Sequence, residues 1–323
     1  MKKNFIIPIL ICPSILLLVF FTCFSFNTYN IPSENIDAVL SVLEDDTSNM
    51  TWPTQSNIKL NTKPTASTNT VKISGSQITI TQGGNYVISG TLSNGSIIVD
   101  TTSPVNLTLS NASITNLNGP AIYIKNAEET YITLISNTQN YLVDSSIDMT
   151  SSPSAAIYSS SSLTFQGGGM LDITSLSQNG IGSNSPITFN NGMINVSAGK
   201  NAIDTSGTTY LRGGHLSLTA SETGITAAKG LIITDGILNI SNSNTAIASG
   251  MTFTLDGGML NMSDIQTGIY SLSDIIINDS NMNIFSSQNA LLATGKERIL
   301  PNTTISTQPS LLLGESFPHL YSL

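Results

Sequence analysis

Hydrophobic positions recur along the C-terminal half of the chain at a fixed interval of 22 residues. Blocks that begin at residues 178, 200, 222, 244, 266 and 288 share one pattern, from Gln178-Asn-Gly-Ile181 to Gln288-Asn-Ala-Leu291. Each unit continues with two further apolar stretches separated by a small residue, as in Leu231–Ile233, Gly236 and Leu238. Short stretches with alternating apolar positions predict strands, so each unit holds three strands and no helix.

The period indicates a solenoid of stacked coils. Leucine-rich repeats have a similar period but need a leucine motif that is missing here, and 22 is not a multiple of the hexapeptide repeat of left-handed β-helices. The predicted fold is therefore all-β: a right-handed parallel β-helix with three short strands per coil. Residues 71–153 fit it less regularly. Stacking predicts one interior column at Ile181, Ile203, Ile225, Ile247, Ile269 and Leu291.

The N-terminus has the pattern of an export signal. Lys2 and Lys3 precede an apolar run from Phe5 to Phe26, which either is cleaved as a signal peptide or stays as a membrane anchor. The predicted organisation is a signal or anchor over residues 1–26, a polar linker over 27–69, the β-helix over 70–312 and a C-terminal tail over 313–323. A secreted or extracellular cell-surface protein follows from this, with membrane anchoring through residues 5–26 as one outcome.

Charge excludes several classes of function. Eleven Lys and Arg against twenty Asp and Glu give a net charge of -9, and only 10% of residues are charged. Such a surface is a poor match for phosphate backbones, so no nucleic-acid partner is expected. The two histidines, His215 and His319, exclude most His-based mechanisms, and the cysteines, Cys12 and Cys23, both lie in the apolar run.

Outward positions of successive coils also stack, and one predicted column is rich in asparagine. Its amides can bond to one another along the solenoid, which would be a structural role. Alternatively, the column is a polar strip that matches the repeating hydroxyls of a polysaccharide, with Asn239 and Asn261 as binding residues. The column consists of Asp172, Asn195, Ser217, Asn239, Asn261 and Asn283.

A second outward column carries two tyrosines. Tyrosine can stack on a sugar ring while its hydroxyl forms a hydrogen bond, so Tyr158 and Tyr270 are candidate binding residues, together with Asp204 between them. Ordinary strand surface is the alternative role for both tyrosines. The column consists of Tyr158, Gly182, Asp204, Thr226, Ala248 and Tyr270.

The coil from residue 200 to 221 concentrates charge. Polysaccharide lyases use a basic residue to remove the proton next to a uronate carboxyl, and Lys200 or Arg212 could serve. Alternatively, Lys200 forms a surface ion pair with Glu222, which lies one period later.

Several segments resemble the carbohydrate-binding domain-containing β-helix family, exported bacterial proteins related in fold to pectate lyases. The segments are Ile78–Leu92, Gly95–Asp100, Asn118–Tyr123 and the Gly-Ile repeats. The resemblance covers residues 71–312. It implies binding of plant cell-wall polysaccharide, including acidic pectic polymers, with bound calcium and without strong catalysis.

The sequence departs from this family where calcium would bind. Family members commonly have Asp-Gly-Ile or Asp-Ala-Ile at positions where this chain has pairs such as Asn179-Gly180 and Thr223-Gly224. Calcium needs six to eight oxygen ligands, usually with several carboxylates. The departure argues against calcium and leaves Asp100, Asp144 and Asp204 as candidate ligands.

The leading hypothesis is a monomeric, exported and non-catalytic protein that binds plant cell-wall polysaccharide. The alternatives are a polysaccharide lyase-like enzyme that acts on pectic polymers, with Lys200 or Arg212 as the base, and a surface adhesin.

Overall fold

The computed structural model of the chain describes residues 52–147, 153–278, 280–300 and 304–307. Within these residues the protein is all-β and contains no helix, and so no helix that could cross a membrane. The strands form a parallel β-helix of about 10 turns with coils of about 22 residues, which confirms the predicted fold. The predicted signal or anchor and the C-terminal tail lie outside the described residues.

The first part of the solenoid has coils of unequal length, as the irregular spacing of its apolar runs predicts. Its strands are β1 (Gln55–Leu60), β2 (Thr65–Ala66), β3 (Val71–Ser74), β4 (Gln77–Ile80), β5 (Gly84–Leu92), β6 (Ser96–Asp100), β7 (Val105–Asn116), β8 (Ile122–Asn126), β9 (Glu129–Leu134), β10 (Gln139–Asp144), β11 (Ala155–Ser159), β12 (Ser162–Gly167) and β13 (Met170–Ser175).

The regular repeats follow. Their strands are β14 (Asn179–Ser183), β15 (Ile187–Phe189), β16 (Met193–Ala198), β17 (Ile203–Thr205), β18 (Thr209–Leu211), β19 (His215–Ala220), β20 (Thr223–Ala227), β21 (Leu231–Ile233), β22 (Ile237–Ser249), β23 (Phe253–Leu255), β24 (Met259–Ser271), β25 (Ile275–Ile277), β26 (Asn281–Ala293), β27 (Glu297–Ile299) and β28 (Thr304–Thr307).

Parallel pairing between coils arranges these strands as three sheets. The first sheet contains β4, β6, β8, β11, β14, β17, β20 and the C-terminal parts of β22, β24 and β26. The second contains β1, the N-terminal parts of β5 and β7, β9, β12, β15, β18, β21, β23, β25 and β27. The third contains the C-terminal parts of β5 and β7, β10, β13, β16, β19, the N-terminal parts of β22, β24 and β26, and β28.

Side chains alternate between a dry interior and the outer surface because strand positions have a period of two. The predicted interior column is confirmed: each of its residues pairs in register with the next, and none is more than 1% exposed. Phe165 and Phe189 stack in the second sheet with ring centroids 4.9 Å apart. The interior is thus a stack of matching residues, one per coil.

The solenoid begins earlier than residue 70, where the sequence suggested that a linker ends. Strand β1 lies within that segment and pairs in parallel with β5, so it belongs to the second sheet. Its inward residues Ile58 and Leu60 are buried, and the ring of Trp52 packs edge-on against Tyr131 with centroids 6.0 Å apart. The apolar pattern of β1 is only two inward aliphatic residues long, which is too short to separate a strand from a polar linker.

Candidate functional site

The outer face of the third sheet carries the asparagine-rich column that the sequence predicts, here named the polar column. Its residues pair in register from one coil to the next, and all six are half-buried. Their side chains point outward, while the residues before and after each of them in the strand point into the core. Members of the polar column are Asp172, Asn195, Ser217, Asn239, Asn261 and Asn283.

Hydrogen bonds connect the polar column from coil to coil. Asn283 Nδ2 donates to Asn261 Oδ1 at 2.8 Å, and Asn261 Nδ2 donates to Asn239 Oδ1 at 2.8 Å. In the N-terminal half, Asn195 Nδ2 donates to Asp172 Oδ1 at 2.7 Å. Each of these amide groups donates toward the N-terminal end of the solenoid, so the column has a direction.

Two further columns flank the polar column on the same face. On one side lies an apolar column that runs from Met170 to Met259 and that only His215 interrupts. Its members Met193, Ile237 and Met259 are 43%, 36% and 40% exposed. On the other side lies a hydroxyl column formed by Thr174, Ser197, Thr219, Ser241 and Ser263. Exposed apolar side chains in a row beside polar ones are typical of a binding surface.

An exposed aromatic side chain stands at each end of this face. Tyr141 pairs with Asp172 at the N-terminal end and is 41% exposed, and Phe285 follows Asn283 by two residues and is 47% exposed. A shallow hollow of about 600 Å³ lies beside Phe285, with Asp264 and Gln266 in its lining. A second hollow, of about 230 Å³, lies over the polar column between Asp172 and Thr219.

The first sheet carries Tyr158, Asp204 and Tyr270 in one outward column, as the sequence predicts. Asp204 Oδ2 accepts a hydrogen bond from Asn179 Nδ2 at 3.1 Å, and Tyr158 donates to Asn184 Oδ1 at 3.0 Å. The structure adds Tyr123, whose ring meets that of Tyr158 edge-on at 6.1 Å. Tyr270 lies five coils from Tyr158, so the column forms no continuous aromatic platform.

The two candidate lyase bases lie at different corners of their coil. Lys200 is in the turn between the third and first sheets, and Arg212 is in the turn between the second and third sheets. The guanidinium of Arg212 lies 5.1 Å from the centroid of the Tyr210 ring. The structure therefore does not bring Lys200 and Arg212 together in one groove with Asp204.

The suggested pair of Lys200 with Glu222 is not formed. Among the residues that the structure describes, the ion pair within 4.0 Å joins Lys125 Nζ and Asp100 Oδ2 at 2.7 Å, and this contact raises the pKa of Lys125. Lys200 and Glu222 are instead joined by a backbone hydrogen bond, in which Glu222 N donates to Lys200 O at 3.0 Å.

The three candidate calcium ligands lie in different places. Asp100 is paired with Lys125 on the first sheet, Asp204 is on the same sheet several coils further on, and Asp144 is buried at the end of β10 in the third sheet. The described residues hold no group of three or more His, Cys, Asp or Glu side chains placed to bind a metal ion. These three carboxylates therefore form no common site.

Sequence reasoning identified the polar column but missed three outward aromatic residues, Tyr141 and Phe285 beside that column and Tyr123 on the first sheet. Tyr123 and Tyr141 lie in coils where insertions break the 22-residue step, so their positions on a face could not be counted from the repeats. Phe285 lies 22 residues after Ser263, so the repeat does indicate its position beside the polar column. The apolar column was visible in the sequence, because Met193, Ile237 and Met259 stand two residues before Asn195, Asn239 and Asn261.

The fold and the outward columns define a class of protein: a parallel β-helix with stacked columns of polar and apolar side chains on its outer face. The chain is similar to a solved structure described as the polysaccharide lyase-like protein from C. thermocellum, in a gadolinium derivative. The TM-score is 0.64 at 25% identity, and the match covers 78% of this chain and 100% of that one.

The particular family is that of the carbohydrate-binding domain-containing proteins. The chain belongs to it, because the family's sequence profile matches residues 74–306. A relative of that description from Acetivibrio thermocellus is 33% identical over 135 residues, which cover 40% of this chain and 47% of the relative. The match thus spans about half the length of that relative. The resemblance noted from the sequence is confirmed.

Proposed function

We propose that the protein binds an uncharged polysaccharide along the outer face of the third sheet and does not cleave it. The observation that carries this proposal is the polar column, which offers amide groups over successive coils between an apolar and a hydroxyl column. Membership of a carbohydrate-binding family supports binding of a glycan, and the face described here supports its position.

The amides of the polar column keep hydrogen-bonding capacity after they have bonded to each other. An asparagine side chain has two N–H donors and an acceptor oxygen with two lone pairs. In Asn261, one donor and one lone pair are used within the column. The remaining donor and lone pair match a sugar hydroxyl, which also both donates and accepts.

The geometry of the face suits an extended chain. Equivalent side chains of neighbouring coils lie about 4.8 Å apart, close to the advance per residue of an extended β-linked glycan. Sugar rings also have apolar C–H faces, which can lie against Met193, Ile237 and Met259 while the hydroxyls meet the polar column. The exposed rings of Tyr141 and Phe285 extend the apolar contact at the two ends.

Charge favours an uncharged ligand over an acidic one. The polar column holds one ionisable carboxyl, Asp172, whose two oxygens accept bonds from Asn195 and Gln139. It contains no lysine or arginine to pair with uronate carboxyls, and the whole chain has a net charge of -9. A polyuronate would meet repulsion that a neutral polysaccharide does not.

Substitution of one amide tests the position of the site. Asn261→Ala should weaken retention of the full-length protein in affinity gels that contain xyloglucan or mixed-linkage β-glucan by about fivefold, because one net hydrogen bond contributes about 1 kcal/mol. The matched control is Asn278→Ala, since Asn278 donates to Asp256 across coils in the same way, at 3.2 Å, but in the turn between the second and third sheets.

Three outcomes would contradict the proposal. These are equal weakening by both substitutions, retention on polygalacturonate but on neither neutral polysaccharide, and retention on no polysaccharide, which would favour the adhesin. Steady formation of unsaturated product from polygalacturonate would instead support the lyase-like alternative, with Lys200 or Arg212 as the base.

We also propose that the protein acts outside the cell. Lys2 and Lys3 before the apolar run from Phe5 to Phe26 support this, as does a ligand that occurs in cell walls. Fractionation of cells that express the full-length chain should find it in the medium if the run is cleaved and in the membrane fraction if it is kept. Recovery in the cytosol alone would argue against export.

A further inference from the structure

His215 is the one imidazole beside the polar column within the described residues. It occupies the apolar column between Met193 and Ile237, and its Nε2 atom lies 2.7 Å from Asn239 Nδ2. The amide nitrogen of Asn239 can only donate a hydrogen bond, so Nε2 accepts it. His215 is therefore neutral in this arrangement and carries its proton on Nδ1.

This contact lies at the end of a directional chain of amides. Asn283 donates to Asn261, Asn261 donates to Asn239, and Asn239 donates to His215. A row of stacked amides can point either way, because reversing every member preserves all the bonds between them. The group at the end of the row decides which direction is adopted.

We propose that His215 sets the direction of this amide row and that protonation of its ring reverses the row. This inference rests on the proposed function only where it concerns binding. Once Nε2 takes a proton from solvent, it can only donate, so Asn239 must turn its Oδ1 toward the ring. Asn239 Nδ2 would then face Asn261 Nδ2, and two donors cannot bond. Asn261 and Asn283 must therefore turn as well.

The N-terminal half of the polar column cannot follow this reversal. Asn195 Nδ2 donates to a carboxylate oxygen of Asp172, and an ionised carboxylate only accepts. Protonation of His215 therefore leaves the two halves pointing in opposite directions, and a ligand matched to one direction meets mismatched donors and acceptors.

Few charged groups compete with His215 for control of the amide row. On the strands that pair with β19, its outward neighbours are the uncharged Met193, Asn195, Ile237 and Asn239. The charged groups of the adjoining turns are engaged elsewhere: Arg212 lies over the Tyr210 ring, and Asp235 Oδ1 accepts from Gly236 N at 2.7 Å.

Side-chain amide NMR signals test the reversal without any ligand. As the pH falls from about 8 to about 5, the range over which histidines change charge, the Asn239, Asn261 and Asn283 amide signals should shift with the midpoint of the His215 ring. Asn283 lies two coils from Asn239, roughly 10 Å away. Because salt at 0.15 M screens charges over about 8 Å, the charge on the His215 ring should by itself shift the Asn283 amide signal little. Asn278, in the turn between the second and third sheets of the same coil, is the internal control.

Substitution of the ring tests the effect on binding. Retention on xyloglucan should fall about fivefold over the same pH range, the effect of one mismatched hydrogen bond, and His215→Gln should abolish that dependence because its Oε1 accepts at every pH. The control His319→Gln, at the other histidine of the chain, should keep the dependence.

The two measurements separate the inference from the proposed function. Asn283 signals that ignore the His215 titration, or a pH dependence that survives in His215→Gln, would overturn the inference. Asn283 signals that follow His215 in a protein retained by no polysaccharide would support the reversal and contradict the proposed function instead.

Discussion

Asp144 shows how the surroundings of one residue change its chemistry. Its side chain is 0% exposed; Oδ1 accepts from Ser146 N at 2.8 Å, and Oδ2 is buried without a hydrogen-bond partner. Burial disfavours the charged form and raises the pKa of the carboxyl, while the bond from Ser146 N lowers it by a smaller amount. The sequence made Asp144 a candidate calcium ligand because it did not show that the side chain is buried.

We expect Asp144→Asn to increase the free energy of unfolding at pH 7 by about 1 kcal/mol, because it removes a buried charge and keeps an acceptor for Ser146 N. The folded-state pKa of Asp144 lies above its unfolded value. The contribution of Asp144 to the stability of the fold is therefore most favourable below its unfolded-state pKa, and it is lost as the pH rises through its folded-state pKa. The gain should accordingly shrink as the pH is lowered to about 4. Urea unfolding at both pH values measures this.

The control for this substitution is Asp264→Asn. Asp264 is exposed and has a φ of 54°, a conformation that asparagine adopts as readily as aspartate. It should change stability little at either pH. Equal effects of the two substitutions, or a gain for Asp144→Asn that grows as the pH falls, would be inconsistent with a buried charge at residue 144.

At the scale of elements, coils alternate between glycine and alanine at one buried position before the interior isoleucine. A Cβ atom added to Gly224 would lie 2.6 Å from both Ala246 O and Ile240 Cγ2. The backbone of the next coil thus approaches each of these glycines closely, whereas the intervening coils have room for a methyl group. The column consists of Gly180, Ala202, Gly224, Ala246, Gly268 and Ala290.

Gly224→Ala should therefore destabilise the protein by about 1 to 3 kcal/mol, the usual effect of overpacking. Ala246→Gly, one coil later in the same column, is the matched control and should lose about 1 kcal/mol or less, because it removes a methyl group without a clash. Urea unfolding of both variants measures the difference. A Gly224→Ala protein as stable as the wild type would show that the coils can separate at no cost.

The repeat period could be read from the sequence, and the reason for this alternation could not. Gln178-Asn-Gly-Ile181 and Lys200-Asn-Ala-Ile203 display it plainly. Its cause is the local distance between two backbones that lie 22 residues apart in the chain. Such a distance is set by the packing of one coil on the next, and no pattern within one coil specifies it.

At the scale of the whole molecule, the low proportion of charge fits the architecture. Stacking places equivalent residues of adjacent coils about 4.8 Å apart, so like charges repeated at the coil period would repel one another. The outward columns of the third sheet accordingly use amides, hydroxyls and thioethers, and Asp172 is the one ionisable carboxyl in the polar column. A surface of this kind suits a neutral polymer better than an acidic one.

The sequence by itself determined the fold class, the interior column and the membership of the polar column, because a fixed period converts a sequence offset into a stacking distance. Only the tertiary structure decided which of the candidate residues share a face. It separated Arg212 from Asp204, dispersed the three aspartates, placed β1 in the solenoid and joined His215 to the amide row. The first three relations depend on the corners between sheets and on segments outside the regular repeats, where a sequence offset no longer gives a position. The last depends on how the side chains of His215 and Asn239 turn toward each other, which the period does not specify.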